Sequence, residues 1–215
     1  MTNSELPSRT DLRTAWTISN GSEVDDLLAL IHKAGSEKRF NKPVQKYLET
    51  VLEGRDNPLL DIGSNPFYKT YIPEGFKAVT LDWSVKGLPF SGARIVSDAE
   101  QLPIADQSFP VVLSKQVYGY LLDPKELVNE MVRVLKSGGL FLLIDVEGEI
   151  ARYDNLGSKE VPRIWDFCPP EVEAQIRSLG LVDIQAEEIK SWPDFEVAPG
   201  VRRDLALTCL KATKL

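Results

Sequence analysis

LLDIGS, residues 59–64, is the stretch whose reading decides the fold. Leu59, Leu60 and Ile62 make a short apolar run bounded by turn residues, which reads as a buried strand ending at Gly63. Working outward, strand and helix signals alternate. AVTLD (78–82) predicts a second strand, RIVSD (94–98) a third, VVLS (111–114) a fourth, and LFLLID (140–145) a fifth, the most apolar of the set. Between the last two, PKELVNEMVRVL (124–135) is an amphipathic helix with Leu127, Met131, Val134 and Leu135 on one face. KSGG (136–139) is expected to end that helix, with glycine where a left-handed cap is easiest. Alternation of this kind predicts an α/β domain with a mostly parallel sheet and crossover helices.

The flanks are read in the same way. Residues 1–20 are polar and aperiodic, a loose N-terminal arm. Residues 21–55 hold two helical patterns, one running to about Lys33 and one over 42–52 with Pro43 in its first turn. Residues 147–167 carry no clear pattern and include Tyr153, Trp165 and Phe167, so they read as a lid or substrate loop. A helix over 169–179 is stopped by Gly180. Two last strands, 181–189 and 205–211, are expected on either side of a proline-containing excursion, 192–200. The whole, 1–215, reads as one domain.

Composition narrows the function. The hydrophobic fraction of 43% and charged fraction of 27% are those of a soluble globular protein. Net charge is −7, and no run of Lys or Arg is longer than a pair such as Arg202-Arg203. Broad binding to nucleic acid or anionic membrane is therefore not expected, and a small molecule is the expected partner; oligomeric state is left open. Cys168 and Cys209 are the only cysteines, which fits a reduced, cytoplasmic protein better than a disulfide framework. No secretion signal is read at the N-terminus, and the longest apolar stretch, GGLFLLIDV (138–146), is too short to span a bilayer. His32 is the only histidine and sits in a helical apolar pattern. No His-rich metal site is expected, and no GxSxG pattern accompanies His32 to make a hydrolase triad.

Three acids carry the chemical signal. Asp61, Asp82 and Asp98 fall at or near the C-terminal ends of the first three strands. In an open parallel sheet, ligands bind in the crevice outside those ends, and carboxylates gathered there suit a ligand rich in hydroxyl and amino donors. Any one of them could be a turn former or helix cap. Three in register with the strand pattern point to a ligand.

At this point the sequence resembles a known family. LLDIGS (59–64), AVTLDWS (78–84), DAEQLPIADQSF (98–109), VNEMVRVLKSGGLFLLI (128–144) and WDFCPPEVEAQIRSLGLVDIQAEEI (165–189) are similar to the successive motifs of class I S-adenosylmethionine-dependent methyltransferases of the small-molecule type. The resemblance implies a Rossmann-like three-layer sandwich with a seven-stranded sheet of order 3-2-1-4-5-7-6 and an antiparallel last strand. It implies S-adenosylmethionine as cofactor. Carried over residue by residue, Asp61 would face the methionine amino end and Gly63 would let the backbone come close. Asp82 would accept from the ribose hydroxyls, with Trp83 beside the adenine. Asp98 would accept from the adenine amino group, with the Ala99 backbone against the ring. Lys115 and Gln116 would line the floor near the methyl group, and Tyr118 and Tyr120 would lie on the acceptor side. No catalytic base is named.

The glycine-rich loop departs from the family pattern, since Asn65 and Phe67, flanking Pro66, stand where further glycines are usual. Asn65, also placed among the cofactor contacts, tolerates a left-handed backbone; Phe67 is the larger change. Two alternatives therefore stay beside methyl transfer. One is a degenerate, non-methylating relative that uses the same pocket. The other is a nicotinamide-dependent dehydrogenase, disfavoured because the GxGxxG fingerprint is absent.

Overall fold

The computed structural model describes residues 40–64, 71–83, 92–147, 166–198 and 201–215. The expected N-terminal arm, the first helical pattern with His32, Asn65 with Pro66 and Phe67, and most of the 147–167 loop lie outside these residues.

Seven strands form one sheet in the order β3-β2-β1-β4-β5-β7-β6. They are β1 (Leu59–Ile62), β2 (Ala78–Asp82), β3 (Ala93–Val96), β4 (Phe109–Lys115), β5 (Leu135–Glu147), β6 (Leu181–Ala198) and β7 (Val201–Lys214). Strands β1 to β5 pair in parallel, while β7 runs antiparallel to both β5 and β6. The expected order and the antiparallel last strand are both found. Three helices of the described residues cover the sheet: α1 (Lys42–Val51), α2 (Pro124–Val134) and α3 (Pro169–Ser178). None of the described helices is long and apolar enough to cross a membrane.

Strand alternation divides the core between the two faces of the sheet. Leu60, Ile62, Phe141 and Leu143 pack with Leu127 and Met131 of α2 and Val172 and Ile176 of α3. Leu59, Leu113, Leu142 and Ile144 pack on the other face with Val44 and Leu48 of α1. Strand β1 is buried along its whole length, between β2 and β4.

Several boundaries differ from expectation. Helix α2 ends at Val134, because Leu135 turns extended and pairs with Phe109. Gly138, with φ +73°, then serves an irregular start of β5 and is no helix cap. The open carbonyls at the end of α2 are met by a lysine of the last strand, whose Nζ donates to Val132 O at 2.7 Å and Leu135 O at 2.9 Å. Strand β3 stops at Val96, so Asp98 lies in the turn beyond it. Strand β4 begins earlier, at Phe109, with Pro110 at a register shift, and ends later, at Lys115. The 192–200 excursion is not found in the described part of that segment: β6 and β7 continue through it as a long hairpin, with Trp192 opposite Leu205 and Phe195 opposite Arg203. Pro193 is tolerated because β6 is an edge strand and the pairing shifts register between Trp192 and Phe195.

Candidate functional site

The sheet order reverses between β1 and β4, since the chain winds from β1 to β2 and β3 on one side and to β4 and β5 on the other. In doubly wound sheets that switch point is where a crevice opens at the strands' carboxyl ends. Here it is bordered by the turn after β1, the ends of β2 and β4, and the turn after β3.

The turn after β1 is pinned by backbone bonds. Gly63 N and Ser64 N both donate to Leu81 O, at 2.8 and 3.0 Å. Gly63 has φ +72°, and a Cβ on it would run into Val117 Cγ2. The immediate reason for glycine is therefore Val117 of the neighbouring turn, a contact with no signal in the sequence. Opposite, Gln116 adopts φ +56° and its N–H donates to Ile144 O at 2.8 Å.

Asp61 lies fully buried in this corner. Its Oδ2 accepts the Tyr71 hydroxyl at 2.8 Å, while its Oδ1 has no hydrogen-bond partner. Burial pushes the carboxyl up to about 6; the Tyr71 bond, the nearby Ser64 hydroxyl and the Lys115 charge oppose the rise without cancelling it. The Ser64 hydroxyl stands near the carboxylate without meeting hydrogen-bond geometry. Lys115, also buried, is lowered to about 8 by desolvation, against the pull of Asp61 and Asp145. Its Nζ donates to Gln116 Oε1 and lies 5.0 Å from the centre of the Tyr71 ring, a cation–π arrangement. Burial, then the Asp61 charge, holds the Tyr71 phenol well above its usual range. Ser114, next to Lys115 on β4, is buried with its hydroxyl likewise unpartnered.

The other expected residues surround this corner. Asp82 ends β2 half-buried, and its carbonyl accepts from Ser97 N at 3.0 Å, which fixes the turn after β3 beside it. Trp83 follows, half-buried. Asp98 Oδ1 accepts from Glu100 N at 3.0 Å, so this carboxylate braces its own turn, and Ala99 beside it is buried. Glu100, not anticipated, is buried and its Oε1 accepts from Leu122 N at 2.7 Å and Asp123 N at 2.9 Å, tying the turn after β3 to the start of α2. Tyr118 and Tyr120 form a short 3₁₀ turn after β4. Tyr118 packs edge-on against Phe167, ring centres 5.6 Å apart, and burial pushes its phenol up to about 12. Tyr71, Val117 and Glu100 escaped the sequence reading because each acts across a turn on a residue that no period or spacing links to it.

Comparison with known proteins agrees with the fold. A family model described as a methyltransferase domain matches residues 62–143. A demethylmenaquinone methyltransferase of Paenarthrobacter aurescens is 25% identical over 178 residues, covering 80% of this chain and 67% of that protein. An uncharacterized methyltransferase of a Mycobacterium species is 35% identical over 107 residues, covering 46% of this chain and 42% of that protein. The chain thus spans between about two fifths and two thirds of the length of these relatives. Among solved structures, an S-adenosylmethionine-dependent methyltransferase of Thermotoga maritima superposes with a TM-score of 0.62 at 15% identity, covering 88% of this chain and 97% of that one, a likeness of fold.

Proposed function

This chain belongs to the class I S-adenosylmethionine-dependent methyltransferases, and on that footing we propose that it binds S-adenosylmethionine at the β1–β4 switch point and transfers its methyl group to a small-molecule acceptor. The observation that carries the reading is the buried, unpartnered Asp61 Oδ1, with the Ser64 and Ser114 hydroxyls also lacking partners at the same strand ends. A buried acceptor without a donor is costly, and a ligand that brings an ammonium group supplies the donor. These carboxylate and hydroxyl oxygens fit a cofactor with an amino-acid end and a ribose.

In this reading Asp61 takes the ammonium and Asp82 the ribose hydroxyls. Asp98, Ala99 and Trp83 flank the adenine, and the Gly63 backbone gives the close approach. Lys115 and Gln116 line the floor. The cofactor supplies an activated methyl group on a sulfonium, so the protein's task is mainly to orient an acceptor and exclude water. Tyr118 and Tyr120 border the acceptor side. The name of the Paenarthrobacter relative makes demethylmenaquinone the first acceptor to try.

Isothermal calorimetry with S-adenosylmethionine, S-adenosylhomocysteine and NAD tests the reading. Binding of the first two and not NAD is expected; binding of NAD alone would point to a dehydrogenase. Asn65 and Phe67 in place of glycines favour one second reading, a non-methylating relative. It is distinguished by cofactor binding without label transfer from methyl-labelled S-adenosylmethionine to demethylmenaquinone or a panel of phenol and amine acceptors.

A further inference from the structure

Tyr71 stands outside every motif of the sequence, yet it is one of the largest fully buried side chains and touches both Asp61 and Lys115. Its hydroxyl donates to Asp61 Oδ2 at 2.8 Å, and its ring carries the Lys115 ammonium at 5.0 Å. A buried lysine beside a buried carboxylate would ordinarily close a direct ion pair. Here the Lys115 Nζ donates instead to Gln116 Oε1 and rests on the aromatic face, while Asp61 Oδ1 keeps no donor. A second tyrosine–carboxylate–lysine set shows the closed alternative. Tyr47 donates to Glu187 Oε2 at 2.6 Å and Lys211 Nζ donates to Glu187 Oε1 at 2.8 Å, so both oxygens are engaged.

We propose that Tyr71 is a positioning residue for cofactor binding: its hydroxyl fixes the Asp61 carboxylate and its ring holds Lys115 aside, so that Asp61 Oδ1 is reserved for the ammonium of the incoming cofactor. The proposal rests on the cofactor site described above. Its consequence is a pH dependence. The ammonium is held by the ionised carboxylate, so affinity falls as the pH drops through the Asp61 titration. The groups acting on that titration are Tyr71 and Ser64 beside Asp61, Lys115 from the end of β4, and, through Tyr71 and Lys115, Asp82 and Asp145. Removing the Tyr71 hydroxyl removes a bond to the charged form and moves the titration upward.

The test is calorimetric titration of S-adenosylhomocysteine, which leaves turnover out, between pH 5 and pH 8 on the full chain. Wild type is expected to bind more tightly as pH rises through the region of about 6. Tyr71→Phe, which keeps the ring, is expected to lose about tenfold in affinity at pH 7, with the midpoint of the profile raised by about one unit. In an Asp61→Asn background the same Tyr71→Phe change is expected to cost nothing further. A Tyr71→Phe profile that matches wild type overturns the proposal, as does an equal loss with and without Asp61. If Tyr71→Phe does not fold, the wild-type profile decides: a flat one overturns the proposal and a rising one supports it. Absence of S-adenosylhomocysteine binding in wild type at every pH overturns the functional reading and this proposal together, an outcome distinct from wild type binding and Tyr71→Phe binding equally.

Discussion

Two tyrosine–carboxylate–lysine sets sit in different parts of this fold and behave oppositely. At the switch point, Tyr71, Asp61 and Lys115 are all buried; the lysine is turned onto the ring, and the carboxyl is pushed up to about 6. Between α1 and the β6–β7 pair, Tyr47, Glu187 and Lys211 are half-buried. There the lysine bonds the carboxylate directly, and its bond and that of Tyr47 outweigh burial and hold the carboxyl below its usual range. Composition is nearly identical, so the difference comes from depth and from which oxygen is left open. The half-buried set is a finished structural contact. The buried one holds an unmet acceptor, the observation on which the proposed ligand site rests.

The largest expected effect that tests this contrast is on the pH dependence of stability. The Asp61 carboxyl lies near 6 in the fold against an ordinary 3.8. Between those values the unfolded chain has released its proton and the native one has not, so native stability falls as pH rises through that window. The loss is about 3 kcal/mol, and it is absent in Asp61→Asn. Urea denaturation at a series of pH values should show the wild type losing ground to Asp61→Asn between about pH 4 and pH 6. Glu187 has the reverse sign. Its contribution is present at neutral pH and is lost as pH falls through its lowered range, so wild type should lose ground to Glu187→Gln on acidification. Slopes of the same sign for the two substitutions would erase the distinction.

Next in size is a difference in cofactor affinity. Asp82→Ala should weaken S-adenosylmethionine binding by roughly 1.5–3 kcal/mol with little change in folding. Glu187→Ala, outside the crevice, should leave affinity where it was. Calorimetry of both variants checks this, and equal losses would mean that the crevice is not the binding site.

Gly63→Ala should destabilise the protein by about 2 kcal/mol, from a left-handed φ and a clash with Val117. Chemical denaturation measures it, and Val117→Ala in the same chain should restore the part owed to the clash. A neutral Gly63→Ala would mean that the turn beside Asp61 is not pinned as described. The smallest effect belongs to the half-buried set: Lys211→Met should cost less than about 1 kcal/mol in the same assay, because solvent screens the pair with Glu187. A larger loss would make that contact as consequential as the buried one.

Much of the fold was legible in the residues, and the reason is periodicity. The unbroken apolar run LFLLID (140–145) and the helical spacing of Leu127, Met131 and Val134 each report burial along one element, which local sequence encodes directly. Strand ends were less legible. Leu135 is drawn from helix into strand by pairing with Phe109, and Trp192 and Phe195 stay in the hairpin because β7 offers partners. Such partners lie far along the chain and leave no local mark. The strand pattern placed Asp61, Gly63, Asp82 and Asp98 at strand ends or turns, where the structure has them; the contact of Asp98 with Glu100 N and of Gly63 with Val117 was not legible there.

The sequence by itself determined the order of strands and helices along the chain and the acids at or near the carboxyl ends of the first three strands, because these follow from side-chain chemistry read at fixed periods. Only the tertiary structure decided that one oxygen of Asp61 is engaged and the other left open. That depended on Tyr71 reaching Asp61 across ten positions and on Lys115 lying over its ring, a balance of desolvation and geometry set where separate segments meet.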